Sequence, residues 1–423
     1  MKKIFLLGFL FGFILIANSQ AVYRKVLFLG NSYTYVNNLP GMIALLAHSA
    51  GDSLFYDSNT PGGYTLGWNP IAHSTNPVSL EMIRQTEWDF VVLQEQSQVP
   101  AIPVLRDSCM LPGSIILHDS VKSAHPCSRV LFFLTWGRRF GGIQCFTTNY
   151  CSTDFADFDQ MQDSLTVAYK GIADSLDDWI APVGEAWRYV IRNYGMILHS
   201  GDDSHPNLNG SYLAACVFYA SVFGKSSAGL AYTGGLAADT ALLLQQAADS
   251  IVFGYASYWN IWTDQPVAGF ETQVSADTLF THNLSINTLI WHWDFGDGQT
   301  SNEFEPVHIY TSQGQYTVIL SSCDSCRCDT SVQRIDIVNT GTGDHQRKRP
   351  GIKFVGPDES GNVKVKGFDG DGQLCFFDMA GRLAGKVPVA SGNANVHALP
   401  RGLWLWVLKD ENLNKISQGK FSW

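Results

Sequence analysis

The stretch Lys25-Val26-Leu27-Phe28-Leu29-Gly30-Asn31-Ser32-Tyr33-Thr34 decides how the first half of the chain is read. An apolar run without polar alternation marks a strand covered on both faces, as in parallel sheets flanked by helices. Gly30 ends the run and a helix-like segment follows, so Ser32 stands at the end of a strand, where a side chain is well exposed. The same serine would also serve as a plain helix cap. Working outward, residues 39–50 read as a helix, 90–93 as a strand, 110–123 as a helix and 130–135 as a strand. Residues 159–179 read as an amphipathic helix, and 209–223 as a largely buried one. The alternation predicts an α/β domain with a parallel sheet over residues 22–262.

The chain of 423 residues has 28 Lys+Arg against 38 Asp+Glu, a net charge of -10. That balance speaks against nucleic acid as a partner. With 45% hydrophobic and 16% charged residues, there is ample material for several cores, and wholesale disorder is excluded. Lys2 and Lys3 precede an apolar run over 4–17, shorter than the roughly 20 residues that cross a bilayer, and Ala17 and Ser19 are small. This pattern predicts a secretory signal peptide over 1–19, hence a secreted or cell-surface protein without a transmembrane segment once the signal is removed. Export implies an oxidising environment. The nine cysteines leave at least one unpaired. Cys145 and Cys151 flank a short polar stretch and are expected to close a surface loop as a disulfide. Cys216, inside an apolar run, reads as a buried thiol. Cys323, Cys326 and Cys328 have no fourth metal ligand close by and favour a strand-edge disulfide over zinc.

After Trp262 the texture changes to Thr, Val, Gly and Asp with frequent turn signals, which predicts an all-β module. Trp291-His292-Trp293-Asp294-Phe295-Gly296-Asp297-Gly298, Glu305-Pro306-Val307-His308-Ile309-Tyr310 and the alternating Tyr316, Val318 and Leu320 closely resemble a PKD domain. The resemblance implies an immunoglobulin-like sandwich over 265–338. Residues 339–350 are polar and basic and read as a linker, and a small β unit follows over 351–423. Its Leu399-Pro400-Arg401-Gly402-Leu403-Trp404-Leu405-Trp406-Val407 and Lys420-Phe421-Ser422-Trp423 resemble the C-terminal sorting domain of proteins exported by the type IX route. The type IX secretion machinery is the partner this implies.

Late in the α/β domain stands Gly201-Asp202-Asp203-Ser204-His205-Pro206-Asn207. A carboxylate three residues before a histidine can accept from one imidazole nitrogen while the other faces a nucleophile. With Ser32 this makes a candidate triad. Gly30-Asn31-Ser32, Gly62-Gly63-Tyr64-Thr65, Leu93-Gln94-Glu95-Gln96-Ser97 and the Asp202 to His205 segment occur in the order of the motif blocks of the SGNH (GDSL-like) hydrolases, which the chain resembles over 22–262. The resemblance implies a three-layer α/β/α sandwich and a secreted serine esterase. Ser32 would attack an ester carbonyl, His205 would carry the proton, and Asp202, with Asp203 as the alternative, would orient the imidazole.

The family takes its oxyanion donors from the serine N–H, a glycine N–H and an Asn side chain. Here those positions fall on Ser32, on Gly63 with Gly62 as the alternative, and on Gln96 with Gln94 as the alternative. Gln96 departs from the family's Asn, and Asn31 from its more frequent Asp. Arg138 and Arg139 are candidates for guiding an anionic or polyhydroxylated substrate, or a solvated pair; Glu185 for supporting the site floor, or for charge at a helix start. His48, His73, His118 and His125 lack metal-ligand spacing, so no catalytic metal and no organic cofactor are expected. The β modules point by analogy to an acylated glycan, and deacetylation of a carbohydrate is the expected activity. The alternative is a catalytically impaired adhesin or glycan-binding protein on a hydrolase scaffold.

Overall fold

The computed structural model describes residues 21–338 and strand segments between 353 and 422. The expected signal peptide and the linker at 339–350 lie outside the described residues, as do 396–402 at the start of the sorting-domain motif. The chain divides between Asp264 and Gln265 into two compact units.

Among the described residues the first unit has seven strands: β1 (Tyr23–Leu29), β2 (Ser53–Asn59), β3 (Phe90–Leu93), β4 (Arg129–Phe133), β5 (Gly142–Thr147), β6 (Tyr150–Phe155) and β7 (Trp179–Ala181). Five of them form a parallel sheet in the order β2-β1-β3-β4-β7. Consecutive residues of β1, β3 and β4, such as Leu27 and Phe28, Val91 and Val92, and Leu131 and Phe132, are all buried. Both faces of the sheet are therefore covered, and each such side chain contributes about 1.5–3 kcal/mol by leaving water. Helices Leu39–Ser49, Val183–Tyr194, Leu208–Phe223 and Ala238–Gly254 form one connected set, Pro77–Gln85 packs on Leu111–Ala124, and Phe158–Leu176 packs on both Leu111–Ala124 and Val183–Tyr194. Helix Leu208–Phe223 is buried from Gly210 onward and is capped by Asn207, whose side chain accepts from the Gly210 N–H.

The helix read over 159–179 is instead Phe158–Leu176, ended by Asp177 at φ 55°. Trp179 opens β7 opposite Leu131. Its apolar side chain fits the helical period that precedes it, and only pairing with β4 gives it to the sheet. β2 has no apolar run because it is an edge strand whose residues are mostly exposed.

The strand order fixes where chemistry belongs. From β1 the chain moves to β2 on one side and to β3, β4 and β7 on the other, so the loops leaving β1 and β3 diverge and open a crevice at the carboxyl ends of those strands. Ser32 follows β1, and Gln94 to Gln96 follow β3.

In the second unit, residues 270–337 form two antiparallel sheets of four and three strands around Phe270, Trp293, Val318, Leu320 and Ile337. Cys323 and Cys328 form a disulfide at the end of a hairpin. Beyond residue 352 the described strands are antiparallel and enclose Val363, Leu374, Phe376, Trp406 and Leu408.

Candidate active site

Asn31 shapes the segment that carries Ser32. Its side-chain oxygen accepts from the Tyr33 N–H (3.2 Å), which starts the short helix Ser32–Tyr35. Its amide donates to the Tyr64 carbonyl (2.8 Å) and so ties the strand end to the Gly62-Gly63 loop. An Asp here could not donate that bond and would bury a charge against a carbonyl. Gln94, fully buried, completes the brace: its oxygen accepts from the Asn31 N–H (2.9 Å) and the Thr34 hydroxyl (3.0 Å), and its amide donates to Asn31 Oδ1 (2.9 Å) and the Glu95 carbonyl (2.6 Å). Gly30 has to be glycine because a Cβ there would lie 2.6 Å from Gln94 Oε1.

The structure brings the three expected catalytic side chains together. Ser32 Oγ lies 2.9 Å from His205 Nε2, and His205 Nδ1 lies 2.5 Å from Asp202 Oδ2. The other Asp202 oxygen accepts from the Ser200 hydroxyl (2.7 Å) and from the N–H groups of Ser204 (3.1 Å) and His205 (2.9 Å). Burial works against the ionised carboxyl, but hydrogen bonds from His205, Ser200 and these amides outweigh it and hold Asp202 well below the usual carboxylate range. Asp203 turns away, at φ 57°, and pairs with Arg139 (3.2 Å).

An aromatic column supports this loop. Tyr33 stacks on Trp136 at 4.6 Å, Trp136 on Trp187 at 3.9 Å, and Tyr33 meets the His205 ring edge-on at 5.4 Å. The Trp136 indole donates to the Ser204 carbonyl (2.9 Å). Arg138 is engaged internally: its guanidinium donates to Tyr33 Oη (3.0 Å), Ser97 Oγ (3.0 Å) and Gln144 Oε1 (3.2 Å). It joins the helix that begins at Ser32, the loop after β3 and the β5–β6 hairpin. Cys145 and Cys151 form the disulfide of that hairpin, which docks Phe146 and Tyr150 on Trp68 (5.5 and 5.4 Å). Glu185 stands in the first turn of its helix and bonds Thr166 and Arg188. Cys109, Cys216 and Cys375 are buried thiols.

On the other side of Ser32, Gly63 lies in an exposed turn at φ 74°, a backbone favouring glycine. Among the described residues, neither its N–H nor that of Ser32 has a hydrogen-bond partner. The Gln96 amide is turned toward Gln98: Nε2 donates one hydrogen to Gln98 Oε1 (3.0 Å), and Oε1 accepts from the N–H groups of Gln98 (2.8 Å) and Val99 (3.4 Å). Both Gln94 amide hydrogens are engaged, whereas among the described residues only one of the two on Gln96 is, which leaves a single side-chain N–H of this loop without a partner.

Two buried titratable groups that the motifs did not single out hold these loops. Glu95 accepts from the Leu66 N–H (3.0 Å) and the Gln96 N–H (2.6 Å). Burial pushes its carboxyl up to about 8 against the pull of those amides, so it is protonated at neutral pH. His73 Nε2 donates to the Gly30 carbonyl (2.8 Å) while Nδ1 accepts from the Ser79 hydroxyl (2.8 Å). Burial lowers its pKa to about 4, against the opposing Gly30 bond, so the ring is neutral. Local sequence carries little sign of either role, because the partners that join the loops, Leu66 for Glu95 and Gly30 for His73, lie far along the chain.

Residues 260–338 match the PKD domain family. The pre-pro-metalloprotease PrtV of Vibrio cholerae is 39% identical over 77 residues, 17% of this chain and 8% of that protein. The chain therefore spans less than a tenth of the length of this curated relative. Among solved structures, a DUF4886 family protein from Bacteroides uniformis is 18% identical with a TM-score of 0.47, over 55% of this chain and 96% of that one. A candidate SGNH hydrolase from Slackia heliotrinireducens is 25% identical with a TM-score of 0.38, over 47% and 97%.

Proposed function

We propose that this chain is a secreted serine ester hydrolase of the SGNH type that removes acyl groups, acetyl foremost, from a carbohydrate. One observation carries the reading: the Ser32–His205–Asp202 relay, with separations of 2.9 and 2.5 Å, at the carboxyl end of β1 beside the crevice. With Nδ1–H directed at Asp202, His205 Nε2 is free to accept the Ser32 proton as Oγ bonds to the carbonyl carbon. The carbonyl π pair moves onto oxygen, and the N–H groups of Ser32 and Gly63 receive that oxyanion. As the tetrahedral intermediate collapses, the C–O bond to the alcohol breaks and His205 delivers the proton to the leaving oxygen. Water, deprotonated by the same imidazole, then cleaves the acyl-serine and regenerates Ser32. No step asks for a metal or an organic cofactor. A protonated Glu95 keeps negative charge away from the oxyanion.

The hold of Gln98 on the Gln96 amide favours a second reading, a glycan-binding protein with impaired catalysis, because an oxyanion donor kept out of position costs roughly 2.7–4 kcal/mol of transition-state stabilisation. Hydrolysis of p-nitrophenyl acetate and of an acetylated oligosaccharide by the protein and by Ser32→Ala of matched circular dichroism decides between them. Turnover that falls by about 10⁴ or more in Ser32→Ala is the expected result. Absence of turnover of both esters by the unaltered protein would overturn the hydrolase reading.

A further inference from the structure

We propose that Tyr35 is the surface on which the sugar ring of the substrate lies, an inference that rests on the hydrolase reading and names the residue that selects a glycan ester over a small one. Tyr35 is the last residue of the helix that begins at Ser32. Residues three apart share a helix face, so its side chain stands next to the nucleophile. The ring is 51% exposed. Among the described residues its hydroxyl has no hydrogen-bond partner and its ring stacks on no other. Tyr33, two positions earlier, is the opposite case, buried and bonded to Arg138 and Ser204.

Two neighbouring loops frame Tyr35. Its Oη lies 3.8 Å from where a Cβ on Gly62 would stand, which puts it against the loop carrying the proposed donor Gly63. Two residues on, the Asn37 amide donates to Ser211 Oγ (2.9 Å) and to the carbonyl of Pro206 (3.4 Å), the residue after His205. Tyr35 thus belongs to a segment pinned at Ser32 and Asn37 to the His205 loop, with its ring tip toward the oxyanion loop.

The chemistry of that position suits one class of ligand. A pyranose presents an apolar C–H face, which gains dispersion energy flat against an aromatic ring, and hydroxyl edges, which pair with a free phenol. A two-carbon acyl group held at the oxyanion is too short to cover the ring, so the alcohol portion of the ester is what reaches it. An exposed tyrosine without partners makes no contribution to the core, so its replacement leaves the fold intact.

The test compares an acetylated oligosaccharide with ethyl acetate, whose alcohol has no ring, for the full chain, Tyr35→Ala and Tyr35→Phe. In Tyr35→Ala, the expected result is that KM for the oligosaccharide rises about three- to tenfold and that kcat/KM for it falls several times further than for ethyl acetate. Tyr35→Phe should keep most of the preference. Equal losses on both esters, or none on either, would overturn the role of Tyr35 while leaving the hydrolase reading in place. Failure of the unaltered protein on both esters would sink the hydrolase reading instead. Calorimetric binding of the oligosaccharide then decides Tyr35 by itself: a Kd weakened at least threefold in Tyr35→Ala supports it, and an unchanged Kd or no binding by the unaltered protein overturns it.

Discussion

Asp202 and His205 keep 49% and 35% of their side chains exposed, whereas Glu95 and His73, which hold the loops around the proposed oxyanion site, are completely buried. The proposed acid–base arm is a short loop that satisfies its own carboxylate with three nearby donors from Ser200, Ser204 and His205. The proposed oxyanion arm has no such self-sufficiency, and its loops are held by neutral buried groups reaching across the chain. Charge is affordable where water reaches it, and a buried group without an ionic partner has to stay neutral. One arm is therefore an electrostatic device and the other a packing device.

Asp202→Asn breaks the first arm by presenting the wrong hydrogen-bonding pattern to the imidazole. Turnover of p-nitrophenyl acetate should fall by roughly 10⁴ with the fold unchanged. A fall of less than tenfold would mean that the exposed carboxylate does not orient His205.

Glu95 tests the second arm. In Glu95→Ala the Leu66 N–H loses its partner and the Gly63 loop its anchor, so kcat should drop by about 10², while Glu95→Gln keeps an acceptor and should return to within several-fold of the original. Stability against pH gives a readout apart from activity. Because the folded pKa, about 8, lies above the ordinary carboxyl value of 4.5, the bound proton contributes stability that is fully present below pH 4.5. It is lost as pH rises through 8, at up to about 1.4 kcal/mol per unit. Glu95→Gln has no such proton, so its stability relative to the original protein should climb by roughly 3–4 kcal/mol between pH 5 and pH 8 in urea titrations. Parallel profiles would show that Glu95 is already ionised at neutral pH.

The smallest effect is expected at Gln96, whose amide serves the turn around Gln98. Gln96→Ala should change kcat by no more than about threefold, and a loss approaching 10² would mean that the amide leaves Gln98 to serve the oxyanion.

Much of the α/β unit was legible because burial on both faces leaves a one-dimensional trace: the stretches 26–29 of β1, 90–93 of β3 and 130–133 of β4 are apolar at every position. β2 left no such trace, since an edge strand exposes much of its surface, and Trp179 was absorbed into the helix before it. Ser32, Asp202 and His205 were legible because a nucleophile at a strand end and an acid three residues from a histidine are local patterns. Gln96 shows what reading by position leaves open. Its place in the motif block suggests an oxyanion donor, and in the structure one of its two amide hydrogens and its oxygen are bonded to the turn at Gln98.

What the amino-acid sequence determined by itself is whatever depends on neighbours in the chain: alternation of strands and helices, the Asp202–His205 spacing, the cross-strand cysteines and the alternating strands after Trp262. What only the tertiary structure decided is which distant groups share a buried space. Neutral Glu95 under Leu66, His73 beneath Gly30, Arg138 joining three loops, and Tyr35 left bare beside Ser32 all arise there. Desolvation and hydrogen-bond satisfaction act through distance in space, and sequence separation carries little record of it.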